Sequence, residues 1–154
     1  MKINYFVISC IVLLVAFLGG QATRFGMEWY KTIDIPSWTP PGWVIGSVWN
    51  LIFILGAISV ILFWNLRSKP SYFYWVIGLF VLNAILNILW SYLFFGQHLI
   101  SLAVIEAFIL GLSVLALILS IWPFSILAAL LLIPYCGWVF FASYLTYSIW
   151  LLNK

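Results

Sequence analysis

Residues 72–95 read YFYWVIGLFVLNAILNILWSYLFF and contain no charged side chain. A helix of this length rises about 36 Å at roughly 1.5 Å per residue, and the hydrocarbon core of a bilayer is roughly 30 Å thick. Lipid offers no hydrogen-bonding partners, so a backbone inside it must pair its own N–H and C=O groups, as a helix does. The stretch therefore predicts a transmembrane helix.

The rest of the chain has the same character. Of its 154 residues, 67% are hydrophobic and 6% are charged, whereas a soluble domain carries roughly 25% charged residues. Three acids and six bases cannot cover a surface exposed to water, and no cluster of Lys or Arg offers a patch for nucleic acid. We therefore expect a multi-pass membrane protein with the lipid bilayer as a partner and no nucleic-acid partner. The short tails and the lack of a targeting extension favour the cell membrane, most simply a bacterial inner membrane.

Five apolar runs are separated by short polar breaks. They predict an all-α membrane protein with a single domain, residues 1–154, folded as an up-and-down bundle of five transmembrane helices. The helices are expected at about 3–22, 43–66, 72–95, 99–119 and 125–152. The breaks are short, so consecutive helices should be antiparallel neighbours. Lys and Arg divide three to three between the two sides, so the positive-inside rule gives no orientation.

The first run has an alternative interpretation as a cleaved secretory signal, because a lysine precedes it and small residues end it. A retained helix is favoured, since Gly19 and Gly20 lie inside the run and suit close helix packing.

A segment rich in proline and aromatic residues joins the first two predicted helices. Residues 25–42 contain Trp29, Tyr30, Trp38, Pro36, Pro40 and Pro41. Proline fixes φ and pushes the preceding residue toward extended geometry, so we predict a stiff, non-helical loop over one mouth of the bundle. The loop is either an interfacial aromatic belt or a lid over a ligand.

Polar and aromatic residues recur at helical spacing on three of the predicted helices. The third helix carries Asn83, Asn87, Trp90 and Phe94; the second carries Gly46, Trp49, Asn50 and Phe53; the fifth carries Tyr135, Trp138, Ala142 and Thr146. Buried amides need partners in hydrocarbon, so these stripes should face the bundle interior. They predict either a core filled by aromatic rings or a flat-walled apolar site for a large planar ligand, and spacing alone favours the filled core.

Residues for conventional catalysis are scarce. The chain has one histidine, His98, and two cysteines, Cys10 and Cys136, without metal-ligand spacing, so neither a metal site nor a conventional catalytic site is predicted. Glu106 is the one acid within a predicted membrane span. An ionisable group at that depth costs free energy, which makes Glu106 a candidate functional acid. The alternative is a protonated or paired residue of the bundle interior.

Five motifs occur in order along the chain. They are Gly19-Gly20; Trp29-Tyr30 with PSWTPPGW at 36–43 and Trp49; Asn87, Trp90 and Phe94-Phe95-Gly96; Glu106; and Tyr135, Trp138, Phe141 and Ala142. Together they resemble the TspO/MBR family of tryptophan-rich membrane proteins, to which the animal peripheral benzodiazepine receptors belong. The motifs span most of the chain, and their order and spacing make the resemblance specific.

The resemblance implies a homodimeric five-helix bundle that binds protoporphyrin or another tetrapyrrole without a covalent bond, as ligand or substrate. It also implies binding of isoquinoline-carboxamide-type drug ligands. The pocket is expected at the loop-covered end, between the second, third and fifth helices. Its ligand-binding residues here would be Tyr30, Trp38, Phe53, Asn87, Trp90, Phe94 and Ala142. The sterol pattern has Leu145 and Tyr147, but Lys154 follows too late, which argues against a sterol ligand.

Relatives of this kind are associated with light- and oxygen-dependent porphyrin breakdown, and the resemblance implies that Trp49 and Trp138 would be the catalytic residues. Indole is easily oxidised, so each ring could give an electron or a hydrogen atom to an illuminated porphyrin. Axial haem ligation is not expected, because the pocket stripes carry no His or Met. Two alternatives stay open: a transporter of porphyrins or similar hydrophobic molecules, supported by Glu106, and a ligand-sensing regulator without catalysis.

Overall fold

The computed structural model describes residues 3–154. Its helices are α1 (Ile3–Tyr30), α2 (Gly42–Trp64), α3 (Phe73–Ser91), α4 (Ile100–Ile121), α5 (Ile126–Leu130) and α6 (Ile133–Leu152), and a π-helical turn, Tyr92–Gly96, continues α3. Five segments are long and apolar enough to cross a membrane, with α5 and α6 together forming the fifth. The described residues contain no strand. The predicted all-α, multi-pass membrane protein is confirmed.

Hydrogen bonds between helix ends establish the up-and-down topology. At one end, which we call the N-terminal end, Asn4 of α1 donates a 3.2 Å hydrogen bond to Asn65, which follows α2. At the other, the loop end, the Asp34 N–H donates a 3.0 Å hydrogen bond to Asn153, which follows α6. Helix α1 therefore begins at one end of the bundle, and α6 ends at the opposite end.

In cross-section the helices form a ring in the order α1, α2, α5–α6, α4, α3. The expectation that all consecutive helices are neighbours is wrong for α2 and α3, whose backbones barely approach each other. Near the connection that joins these two helices, the Phe73 ring stacks on Phe63 at 5.3 Å and meets Trp64 edge-on at 5.5 Å. Helix α1 packs against both, and a gap remains between α2 and α3.

Helix α1 is longer than predicted, because it continues from the expected end at residue 22 to Tyr30. Trp29 and Tyr30 are therefore helical, and the non-helical connection is shortened to residues 31–41. Gly26 explains the extension. A Cβ at this position would lie 2.3 Å from the Phe95 carbonyl oxygen, so only glycine lets α1 reach the π-helical turn so closely.

The fifth span bends near its start, where α5 ends at Leu130 and α6 begins at Ile133. Pro134 lies in the first turn of α6, where its missing N–H removes no intrahelical hydrogen bond. Ser59 of α2 donates a 2.8 Å hydrogen bond to the carbonyl oxygen of Ala128 in α5. This bond fixes α5 against α2 and leaves α6 free to pack against α4.

Candidate ligand-binding site

A hydrogen-bonded network links three helices at mid-depth. The Tyr135 hydroxyl of α6 donates to Asn83 Oδ1 of α3 at 2.9 Å, and Asn83 Nδ2 donates to Ser113 Oγ of α4 at 2.8 Å. Asn87, one turn further along α3, donates from Nδ2 to the Tyr135 oxygen at 3.2 Å. All four residues are buried, so the network fixes the relative depth of α3, α4 and α6.

Replacing Tyr135 by phenylalanine should destabilise the protein by about 1–3 kcal/mol, because Asn83 Oδ1 loses its donor and Asn87 Nδ2 loses its acceptor. The measurement is unfolding in mixed detergent and SDS. Tyr74→Phe is the control, since Tyr74 lies on the exposed face of α3. Equal stability of the two variants would contradict a stabilising role for the network.

Nearer the loop end, the predicted Trp49, Trp90 and Ala142 converge on one small void between α2, α3, α4 and α6. The remaining wall consists of Ala107, Leu110 and Val139. The void measures about 10 Å³, which is room for about one water molecule. A tetrapyrrole therefore needs these helices or the covering loop to move apart.

An aromatic chain continues from this void to the loop end. Trp90 stacks on Phe94 with ring centroids 5.2 Å apart, and Phe94 lies 6.1 Å from the ring of Tyr30. On the α2 side, the Trp49 ring lies 5.8 Å from Phe53. The five predicted aromatic residues therefore form two groups of contacting rings, one of Trp90, Phe94 and Tyr30 and one of Trp49 and Phe53.

The 31–41 connection lies against α6. Trp38 stacks on Tyr144 at 5.5 Å and meets Phe141 edge-on at 6.0 Å, and Phe141 in turn contacts Trp138 at 5.2 Å. Asn153 donates a 2.8 Å hydrogen bond from Nδ2 to the carbonyl oxygen of the same connection at Asp34. The connection covers the loop end of α6, as a lid would.

Three side chains in this region carry buried polar atoms that find no partner within residues 3–154. They are the indole Nε1 of Trp90, the indole Nε1 of Trp138 and both carboxylate oxygens of Glu106. Glu106 itself is only 5% exposed, and it adjoins Ala107, which lines the void. Buried polar groups are usually hydrogen-bonded, so these atoms are candidate contacts for a bound molecule.

A larger cavity of about 620 Å³ lies elsewhere, between α1, α2 and α3 toward the N-terminal end. Phe53 and Asn87 line it together with Tyr135. These two predicted residues therefore line the larger cavity and not the small void, whereas Trp49, Trp90 and Ala142 line only the small void.

The sequence prediction missed part of this arrangement. It placed the pocket between three helices, but α4 supplies Ala107 and Leu110 to the void; the Ala103, Ala107 and Gly111 spacing was the available signal. On α2, Asn50 and Gly46 are exposed rather than interior. The helix is oriented so that its buried face carries Ile52, a residue that no sequence motif had marked, in place of Gly46 and Asn50.

Comparison with known proteins identifies a family match and several similar proteins. Residues 6–151 match the model of the TspO/MBR family. The tryptophan-rich protein TspO of Bacillus cereus is 40% identical over 81% of this chain and 80% of its own length. The protein of the same name from Archaeoglobus fulgidus is 36% identical, covering 92% of each chain. The translocator protein of Bos taurus is 32% identical over 92% of this chain and 85% of its own.

Proposed function

This chain belongs to the TspO/MBR family, and from that premise we propose that it binds a tetrapyrrole such as protoporphyrin in the membrane. The proposed site lies at the loop end, between α2, α3, α4 and α6, under the 31–41 connection. The same site would accept isoquinoline-carboxamide-type ligands, which are also flat and largely apolar.

The observation that carries the proposal is the pair of buried indole N–H groups of Trp90 and Trp138, which have no acceptor in the described part of the chain. Leaving a buried donor unpaired costs about 1–3 kcal/mol. A protoporphyrin molecule offers carboxylates and ring nitrogens that accept hydrogen bonds, and its flat face suits the rings of Trp49 and Phe94. Binding would therefore give these two indole donors an acceptor.

Access requires the 31–41 connection to move. Trp38 and the backbone of Asp34 hold it against α6 through ring contacts and hydrogen bonds to Asn153. Trp38 and Asp34 lie at the exposed loop end, but Ile33 of the same connection packs against a buried cluster that includes Phe94, so opening must also separate Ile33 from that cluster. We propose that the connection opens as a lid and that the walls then separate around the ligand.

The proposed reaction uses light and dioxygen. An excited porphyrin takes one electron from Trp49 or Trp138, leaving an indole radical cation, and the porphyrin radical anion passes that electron to dioxygen as superoxide. The indole radical cation then takes an electron from the macrocycle, which restores the tryptophan. The resulting porphyrin radical cation combines with superoxide, so the net reaction adds one dioxygen to the porphyrin.

Binding is tested by filling the void. Ala142→Leu should weaken protoporphyrin binding at least about tenfold, because the added side chain occupies space between Trp49 and Trp90 that the ligand needs. The measurement is titration by quenching of tryptophan fluorescence in detergent, with competition by an isoquinoline carboxamide.

Gly137→Leu is the matched control, since Gly137 is exposed on the same helix and a Cβ there meets no atom within 4 Å. If Ala142→Leu binds protoporphyrin as tightly as Gly137→Leu, the ligand does not occupy this site.

Transport of a porphyrin-like molecule is a second candidate function, favoured by Glu106. Its carboxylate is buried within a membrane span and has no hydrogen-bond partner among the described residues, and such groups often mark transport pathways. Glu106→Gln should then abolish porphyrin flux into liposomes while leaving light-driven breakdown intact. Unchanged flux in this variant would exclude a transport role for Glu106.

A further inference from the structure

The 620 Å³ cavity lies in the half of the bundle opposite the proposed tetrapyrrole site. Its walls come from residues 3–15 of α1, 52–64 of α2 and 77–88 of α3, where the gap between α2 and α3 is open. Most of the lining is aliphatic, as in Val7, Ile11, Val60, Val81 and Ile85. Its volume is within the roughly 300–1,000 Å³ of known ligand sites.

The cavity opens sideways into the hydrocarbon region. Val81 and Ile85 line it and are also more than half exposed on the lipid-facing side of α3. At the inner end of the cavity, the Tyr135 hydroxyl donates a hydrogen bond to Asn83 Oδ1. These two polar groups are therefore paired with each other and do not need a hydrogen-bond partner from a bound molecule. The shape and chemistry fit a hydrocarbon chain that enters from the bilayer.

The mouth of the cavity is polar and cationic. Asn4 and Trp64 line it at the N-terminal end. The Lys69 ammonium lies 5.3 Å from the Trp64 ring centroid and 4.2 Å from that of Phe73. Arg67 and Lys69 both lie in the connection between α2 and α3, and Arg67 is exposed.

No acid in the described range opposes these cations at the N-terminal end. Glu28 and Asp34 lie at the loop end, where Glu28 pairs with Lys31 and Asp34 bonds to Asn153. Glu106 is buried in α4, in the half nearer the loop end. The mouth therefore carries uncompensated positive charge at the depth where phospholipid phosphates lie.

We propose that this cavity is a binding site for an anionic phospholipid. One acyl chain occupies the space between α1, α2 and α3, and the phosphate lies beside Lys69 at the mouth. The site lies in the opposite half of the bundle from the proposed tetrapyrrole site, and it includes Phe53 and Asn87, which the family resemblance had assigned to the tetrapyrrole. The lipid would act as a wedge that holds α2 and α3 apart.

The test is native mass spectrometry of the purified full chain with phosphatidylglycerol or phosphatidylcholine of identical acyl chains. The unmodified protein should retain one phosphatidylglycerol about fivefold more tightly than phosphatidylcholine, the preference that one lysine confers for a net anionic headgroup. In phosphatidylcholine the choline ammonium offsets the phosphate charge. Lys69→Gln should remove that headgroup preference while chain binding persists.

Gly56→Leu should weaken binding of both lipids at least about tenfold, because a Cβ at Gly56 points into open space that the chain would occupy. Gly78→Leu is the matched control: it is exposed on α3, is not part of the cavity lining, and a Cβ there also meets no atom within 4 Å. Ala84→Leu, from the opposite wall, repeats the test if Gly56→Leu folds poorly.

The proposal is overturned if the cavity-filling variants retain lipid as well as Gly78→Leu does. It is also overturned if Lys69→Gln keeps the full preference for phosphatidylglycerol. Displacement of the lipid by free glycerol phosphate would identify a soluble anion as the occupant, and it would likewise overturn the proposal.

Discussion

Gly26→Ala is expected to lower the melting temperature in detergent by about 10 °C. The new Cβ would lie 2.3 Å from the Phe95 carbonyl oxygen and 2.7 Å from Phe95 Cβ. The nearest atoms belong to backbone, so no rotamer change relieves the overlap and α1 must move away from the π-helical turn. Overpacking of this kind costs about 3 kcal/mol or more, and each kcal/mol corresponds to about 2–4 °C in a chain of this size.

Gly20→Ala is the matched control within the same helix, because a Cβ at Gly20 meets no atom within 4 Å. Alanine is favoured over glycine in a helix by about 1 kcal/mol, so this variant should melt at the same temperature as the unmodified protein or slightly above. The measurement is the melting temperature of each variant in detergent, from thermal scans monitored by circular dichroism. If the Gly26 variant melts no lower than the Gly20 variant, α1 and the π-helical turn are not in close contact.

The double substitution Trp49→Phe and Trp138→Phe is expected to slow light-driven loss of protoporphyrin at least about tenfold. Phenylalanine keeps the aromatic surface next to Tyr135 and Phe141, but its ring is much harder to oxidise than indole. Trp138→Phe also removes one of the two indole donors proposed for the ligand, so the rates are compared at protein concentrations that bind all of the protoporphyrin. Trp90 keeps its donor, and in the bound complex the electron relay should fail. The measurement is protoporphyrin absorbance over time in aerobic detergent solution, in light and in darkness.

Two tryptophans on the outer surface provide the control. Trp43 and Trp75 are 75% and 68% exposed, and Trp43→Phe with Trp75→Phe should leave the illuminated rate unchanged. An equal rate in the pocket variant and the surface variant would show that porphyrin breakdown needs neither Trp49 nor Trp138. Breakdown of equal speed in darkness would exclude light as the driving force.

The interior face of α3 could be predicted from the sequence because amides in hydrocarbon must find partners. Asn83 and Asn87 indeed bond to Tyr135, and Phe94 is buried. The same logic did not extend to α2. Asn50 is exposed, because α2 buries the face that carries Ile52, Ser59 and Phe63, and Asn50 lies on the opposite face of the helix.

Two features that could not be predicted from the sequence, the length of α1 and the gap between α2 and α3, depend on tertiary contacts. Proline and aromatic content suggested that the chain leaves the helix near Phe25, yet the close approach at Gly26 stabilises α1 to Tyr30. The gap between α2 and α3 depends on how α1 inserts between them, which no local pattern encodes. The same packing creates the cavity near the N-terminal end.

The position of the porphyrin is the central claim, and oxidation mapping tests it most directly. The protein would be illuminated with one equivalent of protoporphyrin in air, and oxidised tryptophans would be located by peptide mass spectrometry. The account predicts oxidation concentrated at Trp49, Trp90 and Trp138, with Trp43 and Trp75 near the level seen without porphyrin. Oxidation mainly at Trp43 and Trp75 would place the porphyrin on the outer surface and contradict the account.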